Sequence, residues 1–128
     1  MSVERLGWLG VRTDHFEQMV SLYRDLLGLD SFHVDGTSVR FRLGDGTEVH
    51  VYGQGDVDHG FFGLAPVVGL VVGDVASVRE RMEAAGIEFL TPVEHAGASA
   101  WYHFRGPDGN VYEIISRGED SSETSVSG

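Results

Sequence analysis

The chain has no cysteine. That absence removes disulfides, thiolate metal sites and a cysteine nucleophile together. Long apolar runs are missing too. The longest, Leu64 to Val72, is nine residues broken by a glycine, far short of the roughly 20 needed to span a bilayer as a helix. Positive charge is scarce: nine Lys and Arg against 20 Asp and Glu leave a net charge of −11. Nucleic-acid binders show the opposite, a basic patch, so no nucleic-acid partner is expected. An acidic surface could draw in a cationic ligand, or simply keep the protein soluble. The opening residues Met1 to Arg5 lack the basic-then-apolar layout of a secretion signal, and the expected compartment is the cytoplasm. There is also no phosphate loop, no dinucleotide glycine fingerprint, no His-Glu-x-x-His and no Gly-x-Ser-x-Gly.

What the chain does contain is itself, twice. Phe41-Arg42-Leu43-Gly44-Asp45-Gly46 returns as Phe104-Arg105-Gly106-Pro107-Asp108-Gly109, 63 residues later. A repeat of this length means two copies of one supersecondary unit. Each copy, at about 55 residues, is marginal alone, so one domain over residues 1–117 is expected. Its first module covers about 5–53, its connector 54–65 and its second module about 66–116. The remainder, 118–128, is acidic and serine-rich with one apolar residue, a composition that predicts disorder.

The first module opens with a short strand, Leu6 to Arg12. Thr13 and Asp14 then offer helix caps, with Glu17 placed for a capping box. Phe16, Met19, Val20, Tyr23 and Leu27 follow at helical spacing, and Gly28 supplies the stop. Val39, Phe41 and Leu43 alternate with Arg40 and Arg42, Asp45-Gly46 reads as a hairpin turn, and Glu48 to Tyr52 is the return strand. The second module repeats the order. It has a strand at Val67 to Val72, Asp74 as cap, and a helix stripe of Val75, Val78, Met82 and Ala85 ending at Gly86. A strand at Trp101 to Arg105, the Asp108-Gly109 turn and a return strand to Ile115 follow. Weak strands near Asp30 to Val34 and Phe89 to Val93 make each module β-α-β-β-β, an α+β fold. His33 and His95 fall in loop-like surroundings with no assigned role, and Tyr23 reads as packing.

These residues resemble the vicinal oxygen chelate superfamily, which includes glyoxalase I, extradiol dioxygenases, and the fosfomycin and bleomycin resistance proteins. The likeness is carried by Trp8 to Thr13, by Leu22 to Gly28, and above all by Phe104 to Ile114. The last is similar to the family's Asp-Pro-Asp-Gly-Asn…Glu ending, with Gly106 in place of the first aspartate. The resemblance implies two tandem βαβββ modules forming a cup-shaped, partly closed mixed sheet with helices outside, and a homodimer. It leaves the reaction open, because the fold hosts many chemistries.

Metal-bearing members of this family place one ligand on the first strand and one on the last strand of each module. The matching positions here are Trp8, His50, Val67 and Glu113; His50 and Glu113 are also 63 residues apart. Tryptophan and valine offer no lone pair to a metal, so His50 and Glu113 would need a third ligand such as His103 or His59. The cofactor is therefore none, or a divalent Zn, Ni, Mn or Fe ion. The resemblance also implies a cup lined by Trp8, Tyr52 and Val67, with Trp101, His103, Arg40, Arg42 and Arg105 from neighbouring strands. Rings with a few polar groups suit a small aromatic or heterocyclic ligand. Each residue has a plainer reading: Trp8 as core, His103 as a structural histidine, the arginines as solvent-facing charges. Glu113, flanked by Tyr112 and Ile114, needs a metal, a cationic partner or a raised pKa, and the last would suit a general base.

Three activities follow from this pattern. One is metal-free binding of a small molecule, as the resemblance to the bleomycin resistance branch implies. The second is a metal-dependent lyase, isomerase or dioxygenase using His50, Glu113 and a third ligand. The third is a metal-free enzyme with Glu113 as base.

Overall fold

A computed structural model describes residues 3–118; the predicted disordered tail lies, apart from Gly118, outside the described residues. The chain forms two compact units. One is Trp8–Val67; among the described residues, the other joins residues 3–7 to residues 68–118. Both are α+β, with strands packed on a short helix, and no described helix is long and apolar enough to cross a membrane.

In the N-terminal unit the strand order is β2-β3-β4-β1, where β1 is Arg5–Arg12, β2 Asp30–Val34, β3 Ser38–Arg42 and β4 Glu48–Tyr52. β4 runs antiparallel to β3 and parallel to β1, so it is central, and all five of its residues are buried. The period of two divides them. Val49 and Val51 join Val39, Phe41 and Val20 in an apolar cluster beneath the helix, while Glu48, His50 and Tyr52 take the other face. The hairpin turn forms as the sequence predicts, with Gly46 at φ +87°.

The helix itself departs from expectation. α1 is Phe16–Ser21 and continues as a π-turn over Leu22–Leu26, in which Leu27 N–H donates to the Leu22 carbonyl at 2.9 Å. The wider π-turn advances the chain by an extra residue. Leu27, counted in the helical stripe, is therefore rotated to the surface at 58% exposure, and Leu29 packs on the cluster instead, with Tyr23. The capping box does not form either. His15 is the N-cap and has no side-chain cap bond; Thr13 Oγ1 accepts from the His15 N–H at 2.9 Å, a local turn ahead of the helix.

The C-terminal unit contains β5 (Val67–Val71), α2 (Val75–Ala84), β6 (Glu88–Phe89), β7 (Glu94–Ala96), β8 (Ser99–Arg105) and β9 (Val111–Ser116). β9 pairs with β5 in parallel and with β8 antiparallel. Asp74 caps α2, accepting from the Ala76 and Ser77 N–H groups. The helix ends in a Schellman motif: Ile87 N–H donates to Met82 O and Gly86 N–H to Glu83 O, with Gly86 at φ +81°. Ala85 thus serves as the C-cap rather than as a core residue, and it is exposed. Val72, Val78, Tyr102, Phe104 and Ile114 form the cluster under α2. Of the predicted strand at 89–93 only Phe89 is extended, as the end of β6; β7 begins after it at Glu94, and the two pair separately with β8. His95 lies in β7 and His33 in β2, not in loops.

Candidate functional site

Strand register makes the internal repeat exact at the site positions. Gly10 lies opposite His50 between β1 and β4, and Gly69 lies opposite Glu113 between β5 and β9. Trp8 and Val67, two residues earlier on each first strand, are therefore equivalent. Across the antiparallel pairs, Arg40 faces His50 in the N-terminal unit and His103 faces Glu113 in the C-terminal unit.

The N-terminal unit gathers a connected polar network walled by rings. His50 Nε2 meets Glu48 Oε1 at 3.0 Å and His50 Nδ1 meets the Tyr52 hydroxyl at 2.8 Å. Glu48 also accepts from Arg42 Nη2 at 3.4 Å. With a carboxylate at one nitrogen, the consistent assignment puts the proton on Nε2 and lets Nδ1 accept from Tyr52. Burial pushes the His50 pKa down to about 4, against the pull of Glu48, so the imidazole is neutral at pH 7. Trp8 sits edge-on to His50 at 5.5 Å. Its indole folds over Gly10, where any Cβ would come within 2.2 Å of the ring; glycine is what allows the tryptophan to lie there. Phe32 carries the Arg42 guanidinium on its face at 4.1 Å.

The connector completes this face. His59 stacks flat on Tyr52 at 3.8 Å between ring centroids, and Phe62 packs edge-on against both Trp8 and Tyr52. Asp56 accepts from the His59 backbone N–H and from its ring Nδ1. Burial lowers the His59 pKa more than Asp56 raises it.

The C-terminal unit is plainer. His103 Nε2 stands 3.5 Å from Glu113 Oε2, with both side chains buried. The His103 N–H donates to Thr91 Oγ1 at 2.8 Å, which fixes the strand at that point. Trp101 packs with Val71 and Ile115. Arg105 turns to the end of the hairpin, donating to the Gly109 carbonyl at 2.9 Å and facing Glu88 at 3.6 Å. Val67 is buried. Glu48 escaped the sequence reading as a site residue. The signal was there: it shares the alternating face of His50 and Tyr52, and a carboxylate on a central strand demands partners.

At the family's ligand positions in the N-terminal unit the donors are not free for a divalent ion. Both nitrogens of His50 are engaged within the network, Trp8 and Val67 have no lone pair to give, and His59 Nδ1 is held by Asp56. Among the described residues no group of three or more His, Asp or Glu side chains is arranged to hold a metal.

Two α+β units with matching strand register point to one class of protein, and the sequence agrees. The chain belongs to the Glyoxalase/Bleomycin resistance protein/Dioxygenase superfamily, whose family model matches residues 5–114. No curated protein matches it in sequence. Solved structures share the fold at low identity. The Mn(II)-bound glyoxalase of Novosphingobium aromaticivorans is 20% identical with a TM-score of 0.71, over 89% of this chain and 39% of that one. Methylmalonyl-CoA epimerase of Mycobacterium tuberculosis is 16% identical with a TM-score of 0.69, over 94% and 92%. The 2,2',3-trihydroxybiphenyl 1,2-dioxygenase of Sphingomonas wittichii is 24% identical with a TM-score of 0.64, over 92% and 42%.

Proposed function

We propose that this protein binds a small aromatic or heterocyclic molecule against the ring-lined face of its N-terminal unit, without a catalytic metal at His50. One observation carries the reading. Where the family resemblance gives ligand positions, Trp8 supplies an aromatic wall and His50 has both nitrogens committed to Glu48 and Tyr52. A face of rings with a few fixed polar groups favours planar ligands through stacking and edge contacts. The test is tryptophan-fluorescence titration with 9-aminoacridine and with 1,4-naphthoquinone, each with and without EDTA, beside elemental analysis of the purified protein. Saturable quenching that EDTA leaves unchanged supports the reading. Near-stoichiometric metal that is lost in His50→Ala contradicts it.

A second reading has its own support. The buried His103–Glu113 pair is costly to maintain unless it is used, and it suits acid–base chemistry on a bound carbon acid. Turnover that survives chelation and disappears in Glu113→Gln would establish it.

A further inference from the structure

The connector between Gly53 and Pro66 does more than join the two modules. Arg12 anchors its start, Nη2 donating to the Gln54 and Asp56 carbonyls at 3.4 and 3.2 Å. Asp56 then fixes His59 from two sides, through its backbone N–H at 3.1 Å and its ring Nδ1 at 3.0 Å. A carboxylate at Nδ1 places the ring proton there and leaves Nε2 as a bare acceptor when the imidazole is neutral. The ring lies flat on Tyr52 and is 6% exposed. Its Nε2 is buried and has no hydrogen-bond partner among the described residues.

A complementary donor is in the same condition. Arg40 lies directly across β3–β4 from His50, so its side chain leaves the same face of the sheet. Its Nε is buried, again with no partner among the described residues. Its charge acts on both His50 and His59. An acceptor and a donor each left buried and unpaired both weigh against the folded state. A phenylalanine at 59 and a methionine at 40 would keep the packing without that cost. The pair makes physical sense if a ligand completes it.

We propose that His59 Nε2 and Arg40 Nε form an acceptor–donor pair that recognises a phenol or hydroxylated heteroaromatic ligand, with Asp56 as the positioning residue that fixes the imidazole. The ligand hydroxyl donates to His59 Nε2, and an oxygen of the same ligand accepts from Arg40 Nε. Entry requires the turn around His59 to move. That turn lies outside every strand, and its closing bonds include Gly60 N to Val57 O at 3.4 Å and Phe62 N to His59 O at 3.0 Å. This rests on the aromatic-binding reading above and narrows its ligand class.

The experiment compares 2-naphthol with 2-methoxynaphthalene, which shares the ring system but cannot donate, by fluorescence titration of wild type, His59→Asn and His59→Gln. Asparagine can keep the Asp56 contact but lacks the distal acceptor; glutamine places an amide near Nε2. Thermal melts establish that each variant is folded. The expected result is an about ten-fold preference for naphthol in wild type. The preference should fall to near unity in His59→Asn and partly return in His59→Gln. Equal binding of both probes by wild type, or a preference untouched in folded His59→Asn, overturns the pair while leaving aromatic binding standing. If wild type binds neither these probes nor 9-aminoacridine, the aromatic reading itself fails and takes this inference with it.

Discussion

The two units carry different chemistry at equivalent positions. Where the first module has Trp8, Arg40, Glu48, His50 and Tyr52, the second module has Val67, His103, Val111, Glu113 and Ile115. The first is a hydrogen-bonded network among rings, in which Glu48 and Tyr52 both serve His50. The second is one imidazole–carboxylate pair on the face that also carries Trp101, Val111 and Ile115. The difference teaches that the repeat preserves backbone register and helix-facing core, while the opposite sheet face is free to diverge. The alternation of a strand explains why: changing Glu48 to the valine of its counterpart leaves Val49 and Val51 pointing at the helix as before.

The largest effect that would sharpen this contrast comes from the paired core phenylalanines. Phe41 is fully buried in its cluster, so Phe41→Ala should cost about 3–5 kcal/mol in urea unfolding. Phe104, its counterpart, stacks on Tyr112 at the edge of an open cavity of about 380 Å³, so Phe104→Ala should cost less. Equal losses would mean that the two cores are equivalent after all.

Breaking the network comes next. Glu48→Val imposes the C-terminal residue on the N-terminal unit, strips His50 Nε2–H and Arg42 of their acceptor, and should lower stability by about 3 kcal/mol. The reciprocal Val111→Glu gains at most an ion pair with Arg105, which lies opposite it across β8–β9, because Glu113 and Ile115 stand where the network has His50 and Tyr52. A neutral Glu48→Val would show that the network contributes nothing to stability.

Acidification should probe the same unit. His50 titrates near 4 in the folded protein against about 6.5 when unfolded. Between those values the unfolded chain holds a proton that the folded chain does not. The stabilisation is therefore complete above about pH 6.5 and is lost as the pH falls toward 4, by about 3 kcal/mol. His59, also lowered, acts in the same direction. Urea midpoints at pH 7 and pH 4 should differ accordingly, and the difference should shrink in His50→Phe.

The smallest contrast is between the helix starts. Asp74→Ala removes a side chain that accepts two backbone N–H groups and should cost about 1 kcal/mol. Thr13→Ala removes only a turn contact ahead of α1 and should cost about 0.5 kcal/mol or less.

Much of the fold was legible because the determinants are local and recur. Asp45-Gly46 and Asp108-Gly109 set two hairpins, Gly28 and Gly86 end two helices with positive φ, and alternation along β4 placed Glu48, His50 and Tyr52 together. The π-turn at Leu22 was not legible, since nothing in the 3.6-residue spacing marks an inserted residue; Leu27 and Leu29 exchanged places because of it. The role of Asp56 and His59 was also hidden. Their contact depends on how a glycine-rich connector folds back on Tyr52, and no periodicity governs a connector.

The most direct test of the central claim is the imidazole nitrogen spectrum of His50 by ¹⁵N NMR at pH 6, with and without added zinc. A neutral ring protonated at Nε2, with shifts that zinc does not move, is the predicted result. Zinc-dependent loss of the Nε2 proton or a large shift at either nitrogen would contradict it, and would make His50 a metal ligand.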